Sequence, residues 1–409
     1  MAKGEEHDCM NLANCSDCHL TYCTNIHPGE SWSEVRANLN LYLPAIKHRV
    51  SPEASLGVGL RLSALAATEL QKQETLEEFK AFLDTNDLYV FTINGFPYGD
   101  FHGVPVKQQV YRPDWRTEDR LSYTNQLADL LVELLPSKSP GYGSISTVPG
   151  GFKPDINLSS DIECLTQRLI DHVAHLVQLE RRTGVHLSLA LEPEPYCFIE
   201  TVDEALAFFE NHIFSKGTCG KLASLTGLGH TEAEQALRRH LGLCLDLCHA
   251  AVEFEDPLEC LDCISQADIM ISKMQISAGL QIPIVTPKTA ESLTPFNDPI
   301  YLHQVIERSQ EKLRRFLDIP DALHTLHTTE EPREWRVHFH VPVFLEDLGE
   351  FSSTQSFICD VLSRHRQHPV SQHLEVETYT WDVLPDSYRA SDIVTAITRE
   401  LQWTKAQLV

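Results

Sequence analysis

Short apolar runs alternate along this chain with longer amphipathic stretches. Eight runs, at residues 20–24, 55–60, 87–94, 143–148, 186–192, 241–246, 268–276 and 374–380, read as strands. They are rich in core-type and β-branched residues, and most end in polar or Gly/Pro-rich loops. Between them, residues 75–83 (TLEEFKAFL) and 161–182 (DIECLTQRLIDHVAHLVQLERR) place apolar side chains at i, i+3, i+4 and i+7, the stripe of an amphipathic helix. Residues 202–211 and 232–240 do the same, the first opened by Thr201 as a cap.

Strand–helix alternation predicts a parallel sheet with right-handed crossovers. Eight such strands predict a closed (β/α)8 barrel, an α/β fold whose functional groups gather on loops at the C-terminal strand ends. The whole chain, 1–409, is expected to form one such domain. The spacing is regular until the seventh strand, from which roughly 100 residues lead to the eighth, about twice a normal unit. Residues 278–344 are therefore read as an inserted, lid-like elaboration of the seventh loop. Within it, residues 301–317 read as a helix and 336–344 (RVHFHVPVF) as a further strand.

Composition narrows the class. Apolar residues make up 42% of 409, enough for a packed core, which excludes general disorder. No run approaches the ~20 apolar residues of a membrane span, and the polar opening lacks a signal-peptide core. A soluble, cytoplasmic protein with no direct membrane insertion is expected. Against 33 Lys+Arg stand 58 Asp+Glu, a net charge of −25 with 20 His uncounted. Such a chain repels phosphates, and no basic run offsets this, so nucleic acid is not an expected partner.

The 12 cysteines are spread through a chain too large to need stapling and are expected to stay reduced. Cys15-Ser-Asp-Cys18-His19 has the spelling of covalent haem attachment, but without an export signal and running straight into a strand. A zinc or iron site on Cys9, Cys15 and Cys18 would need His19 as its fourth ligand. Cys260 and Cys263 have no partner pair. Gly141-Tyr-Gly143 and Val148-Pro-Gly-Gly151 are turn chemistry rather than a phosphate loop, and no G-x-S-x-G elbow is present.

Reactive polar residues recur at the C-terminal ends of the strands. The fifth ends Leu191-Glu192-Pro193-Glu194, the sixth Asp246-Leu247-Cys248-His249, and the seventh carries Lys273-Met274-Gln275. The inserted strand reads His338-Phe339-His340, and the eighth Glu375-Val376-Glu377. Taken one by one, each has an ordinary reading. Glu192 could be a solvated loop carboxylate, Asp246 a helix cap, His249 a structural histidine, and Gln275 a hydrogen-bonding group. His338 and His340, like Glu375 and Glu377, share a strand face, which could be merely polar. Together they supply ligand-type groups from five segments that converge on one mouth. Carboxylates that repel each other there are reconciled by a divalent cation, and oxygen-plus-imidazole ligation suits Mn, Zn, Fe, Co or Mg. A cation so placed can polarise a carbonyl and stabilise an enediolate while carboxylates move protons.

These residues resemble the xylose-isomerase-like barrels, which include sugar epimerases and apurinic-site endonucleases. The resemblance covers roughly residues 17–400. Leu189–Glu192 matches that family's L-x-x-E, Asp246–His249 its Asp-x-x-His, and Glu377-Thr-Tyr-Thr its ending of the eighth strand. The strand-seven ligand is generally His there and Gln275 here, a weaker, uncharged donor. His338 and His340 resemble the paired ligands of the trinuclear-zinc endonucleases, with His at the first position where Asp is usual. More narrowly, His19-Leu-Thr-Tyr-Cys-Thr-Asn-Ile-His27-Pro-Gly-Glu30 resembles the opening of the EboE-type metabolite traffic proteins, as do Asn94-Gly-Phe-Pro-Tyr98, Lys107, Tyr111 and Arg112. That group is associated with moving a metabolite precursor toward the cell envelope.

The reading that results is a metal-dependent isomerase or epimerase acting on a small polyhydroxylated or carbonyl metabolite. Glu192, Asp246, Gln275, His338, His340 and Glu377 are its expected ligands, and Glu192, Glu377 and His249 its catalytic groups. Phe96, Tyr98 and Trp115 would wall a ring, Lys107 and Arg112 hold an anionic group, and His27 and Asn94 face the mouth. A metabolite carrier without turnover is the alternative, and phosphoester hydrolysis a third reading that the net charge opposes. Oligomeric state is left open.

Overall fold

The structure is a computed structural model and describes residues 18–136, 141–326, 332–389 and 391–409. Thirteen strands occur in it: β1 (His19–Tyr22), β2 (Leu56–Arg61), β3 (Leu88–Asn94), β4 (Gly143–Thr147), β5 (Leu187–Leu191), β6 (Leu241–Asp246), β7 (Ile271–Ile276), β8 (Ala278–Ile282), β9 (Val305–Ser309), β10 (Lys312–Phe316), β11 (Glu334–Val341), β12 (Ser352–Ser353) and β13 (His373–Val376).

Eight of them form one parallel sheet in the order β1-β13-β7-β6-β5-β4-β3-β2. A parallel bridge between Cys23 and Gly59 joins its two ends, and the Gly59 amide donates to Thr21 Oγ1 at 2.9 Å beside it. With helices alternating between the strands, this is a (β/α)8 barrel. All eight strands lie within a few residues of where the hydrophobic pattern puts them, because each is buried along its length and so is built mainly of apolar and small residues.

Helix Ser159–Thr183 shows how the flanking layer is written into the sequence. Its apolar stripe buries Leu165, Leu169, Val173 and Leu176, and Gly184 ends it at φ 75°, where other residues are strained. Helix Val202–Phe208 begins at Thr201, whose hydroxyl accepts from the Glu204 amide.

The long connection between β7 and β13 folds into a second sheet, ordered β10-β9-β11-β8-β12 with antiparallel pairs. Here one expectation is corrected. Residues 301–317 do not form a helix; they form the β9–β10 hairpin, with Ser309 opposite Lys312 and Gln310 at φ 56° in the turn. The run ERSQEKLRR is rich in good helix formers, and propensity points that way. Tertiary pairing overrides it: β9 lies against β11, Arg308 meets Glu334 at 2.6 Å, and the Trp335 indole donates to Glu307 at 2.7 Å. One apolar core runs from the barrel into this sheet through Ala278, Leu280, Val337 and Phe339.

Cys9 and Cys15 lie outside the described residues. Cys18 is disulfide-bonded, contrary to the expectation of reduced thiols throughout, whereas nine further cysteines are free. Among the described residues, no helix is long and apolar enough to cross a membrane.

Candidate metal centre and its cavity

Three carboxylates meet at the C-terminal mouth of the barrel. Glu192 directly follows β5, and its amide donates to the Thr147 carbonyl at 3.1 Å. Asp246 is the last residue of β6. Glu377 directly follows β13, its amide bound to the Ile276 carbonyl at 3.1 Å. One oxygen from each lies within 4.8 Å of the others, and all three side chains are buried.

The partners of these oxygens are informative. Asp246 Oδ1 accepts from the His249 amide (2.9 Å) and from Ser277 Oγ (2.7 Å), so the residue does cap the helix that follows. Its Oδ2 has no hydrogen-bond partner, and neither has Glu192 Oε2. Glu377 Oε1 accepts from Asn25 Nδ2 at 2.8 Å and Asn94 Nδ2 at 2.9 Å. At an effective dielectric of 20, each pair of like charges at this spacing would repel by roughly 3.5 kcal/mol or more. Burial and then the Asp246 charge push Glu192 well above the usual carboxylate range, and burial and then Glu192 do the same to Glu377. Burial, the largest cause, raises Asp246, but the His249 and His340 rings together with the hydrogen bonds from the His249 amide and Ser277 outweigh it, and the group stays below its ordinary value.

Three imidazoles stand beside the carboxylates. His249 Nδ1 donates to the Pro193 carbonyl (2.9 Å), and His340 Nδ1 to the Glu377 carbonyl (2.9 Å). His338 Nδ1 donates to Gln304 Oε1 (2.7 Å), whose amide nitrogen is turned to Tyr111 Oη (2.8 Å) and the Pro195 carbonyl. With each Nδ1 carrying the proton, each Nε2 is a lone pair, and those of His249 and His340 both approach that of His338. His249 Nε2 lies 3.0 Å from His338 Nε2, which lies 3.3 Å from His340 Nε2. Three acceptors at such distances have no proton to share. The spacing matches neighbouring ligands about 3.3 Å apart around a tetrahedral ion with ~2.0 Å metal–nitrogen bonds. Burial, foremost, depresses all three rings, His340 to about 4, so they are neutral and ligand-competent near neutral pH. Asp246 is common to both groups, grouping with Glu192 and Glu377 and with His249 and His340.

The donor set and its unpartnered oxygens thus fit a divalent cation. Gln275 sits in register with Asp246 and Glu375. Its Oε1 accepts from Cys244 Sγ at 3.1 Å, leaving Nε2 without a partner; turning the amide over exchanges the two ends.

A cavity of about 50 Å³ opens onto this cluster. Glu192, Glu194, His249, His338 and Glu377 reach it, and Phe96, Phe101, Tyr111, Tyr301, Leu302 and Tyr379 supply apolar wall. Asn94 and Asn25 line it as well. Lys107 also reaches it, but its ammonium is already held by Asp318 (2.7 Å) and by the Asp298 and Tyr301 carbonyls.

Four expected cavity residues do not line it. Trp115 is fully buried in the core, its indole donating to Thr147 Oγ1 at 3.1 Å. His27 stacks on Tyr42 and pairs with Tyr22 Oη at 3.0 Å. Tyr98 packs against Tyr123, and Arg112 pairs with Asp155 at 2.6 Å away from the mouth. Aromatic and basic letters in a long loop do not say which way the loop folds, and these turn to the core or the surface.

Conversely, Glu194, Asn25 and Gln304 are at the site without having been singled out as site residues. Glu194 groups with His249 and His338; it accepts from Tyr111 Oη at 3.3 Å, and burial pushes it up to about 8. Its spacing of two from Glu192 was the available signal. Gln304 lies in the insertion and carried none.

No protein-family model matches the chain, and no curated protein matches it. Among solved structures, the chain is similar to the probable 3-DHS dehydratase AsbF of Bacillus anthracis, at 14% identity, TM-score 0.45, covering 94% of this chain and 97% of that one. It is similar to the IolI protein with a bound zinc atom, at 12% identity, TM-score 0.45, covering 96% and 98%. A D-tagatose 3-epimerase-like protein follows at 10% identity, TM-score 0.47, covering 95% and 97%. The barrel assignment rests on the strand order and pairing described above.

Proposed function

We propose that this protein is a divalent-metal-dependent isomerase or epimerase acting on a small polyhydroxylated or carbonyl metabolite in the barrel mouth. The observation that carries the reading is the approach of the His249 and His340 lone pairs to that of His338, beside three buried carboxylates of which Glu192 and Asp246 each keep an unpartnered oxygen. Glu192, Asp246 and Glu377 would hold one cation, with Gln275 a weaker ligand. His249, His338 and His340, sharing Asp246, would hold a second. When bound, the metal supplies polarisation of a substrate carbonyl or hydroxyl.

The protein's own groups do the rest. Glu192 and Glu377 exchange protons with carbon next to the carbonyl, and Glu194, with the Tyr111 hydroxyl donating to it, faces the same cavity. Asn25 and Asn94 fix the Glu377 carboxylate from one side. The aromatic wall suits the apolar face of a ring and excludes water from the reacting atoms.

Glu192→Ala is expected to lose at least one equivalent of metal, read by elemental analysis, while far-UV circular dichroism stays unchanged. A variant that keeps full metal removes the assignment. Wild-type protein with bound metal should then catalyse deuterium exchange from solvent into the carbon-bound positions of one of a panel of ketoses and aldoses. A carrier without turnover is the second reading, favoured by the uncharged Gln275 at the strand-seven position. Binding of a sugar with no exchange on it would select that reading. A place in metabolite traffic, with a precursor as ligand, is proposed on the motif at residues 19–30 together with Asn94–Tyr98, Lys107, Tyr111 and Arg112.

A further inference from the structure

The opposite end of the barrel carries a second constellation. His186 immediately precedes β5 and His240 immediately precedes β6, each six residues before a ligand-type group at the mouth, Glu192 and Asp246. At ~3.3 Å per residue, six residues put the two sites about 20 Å apart along the strands. The third member, Glu180, lies in the last turns of helix Ser159–Thr183. One donor atom from each of Glu180, His186 and His240 lies within 4.8 Å of the others.

The details favour a cation over a salt bridge alone. His240 Nδ1 donates to the Leu187 carbonyl at 2.7 Å, which fixes the ring and points Nε2 at Glu180 Oε2, 3.1 Å away. A backbone carbonyl behind a histidine is the usual way a ligand ring is oriented. His186 has only 10% of its side chain exposed, and its Nδ1, 3.9 Å from Glu180 Oε1, has no hydrogen-bond partner. Its backbone cannot shift to find one, because its carbonyl accepts the Gly143 amide at 2.9 Å. A histidine–carboxylate pair accounts for His240 and leaves the buried His186 nitrogen unexplained; an ion shared by the three accounts for both. Arg239 takes Glu180 Oε1 at 2.6 Å from the solvent side, and its own side chain is 55% exposed. Oε2 is thus left facing His240, with His186 Nδ1 beside the same carboxylate.

We infer that Glu180, His186 and His240 form a zinc site that ties the helix Ser159–Thr183 to the N-terminal ends of β5 and β6. Two nitrogens and one carboxylate oxygen suit Zn2+, with water as fourth ligand on the open Glu180 side. The N-terminal face of such a barrel is where stability, not chemistry, is built.

The test is a count of Zn2+ bound by the full chain, wild type against Glu180→Gln, with zinc alone as the probe. Glu180 is partly exposed, so the substitution leaves the packing intact. The expected result is a loss of about one equivalent, together with a smaller zinc-induced rise in melting temperature, and the same loss in His240→Gln. Should His240→Gln fail to fold, anomalous scattering from zinc-soaked wild-type crystals reads the site directly as a peak among the three side chains. Equal zinc counts in wild type and Glu180→Gln, or a map without that peak, overturn the inference. The difference count does not depend on the mouth, since metal lost there lowers both totals equally.

Discussion

Inside the barrel, below the mouth, Lys273 Nζ lies 2.6 Å from Glu375 Oε2, both side chains fully buried. Gly59 makes room for the pair: a Cβ there would stand 2.0 Å from Glu375 Oε1 and 2.7 Å from the Tyr22 carbonyl. Burial opposes the lysine charge, but Glu375 outweighs it and the ammonium is held well above its ordinary range. The same ammonium lies close enough to draw down Glu192 and Glu377 against their burial. Lys273→Met should therefore destabilise the protein by about 3–5 kcal/mol through the unpaired Glu375, and Lys273→Met with Glu375→Leu should recover most of it. Urea midpoints at constant m-value decide this. In the sequence, Glu375 and Glu377 share a strand face that could be merely polar, since charge is rarely buried fully. The role of Glu375 depends on Lys273 on the neighbouring strand, and cross-strand register is not visible in one-dimensional periodicity.

At the scale of elements, the eight barrel strands were legible because burial on both faces makes their runs mainly apolar or small. The second sheet was half legible. β11 announced itself through alternation at RVHFHVPV, and that alternation also sends His338 and His340 to the metal side while Phe339 packs on Phe296 and His303. The β9–β10 hairpin was hidden by helix-forming residues whose pairing with β11 decides the outcome. This sheet does more than cover: it supplies Gln304, the group that fixes the His338 tautomer. Gln304→Leu should leave the fold in place and weaken metal binding about 10- to 100-fold, as loss of a ligand-orienting partner does. Competition with a chromophoric chelator measures it, and an unchanged affinity would separate the insertion from the metal centre.

The whole molecule has a characteristic acid–base balance. Burial, the leading cause in each case, depresses His27 and His186 to about 3 and His102, His340 and His365 to about 4. Protons bind these rings more readily in the unfolded chain, so their contribution is complete above an unfolded pKa of about 6.5 and is lost as pH falls toward 3. Burial also raises Glu194 to about 8 and Glu253 and Glu400 to about 7. Their contribution is complete below about 4.5 and is lost as pH rises through 7 to 8. Metal-free protein should accordingly show its highest melting temperature between about pH 4.5 and 6.5, falling on both sides. A melting temperature still rising between pH 7 and 8 without metal would contradict the burial of these carboxylates.

The net charge of −25 belongs to the same scale, because it argues for a cation among clustered acids without saying where. The position follows from strand ends 192, 246 and 377 closing into one mouth. Anomalous diffraction from crystals soaked in Mn2+ or Zn2+ tests that most directly. The account predicts a peak about 2.0–2.2 Å from oxygens of Glu192, Asp246 and Glu377. A map with no ion touching those three carboxylates would contradict it.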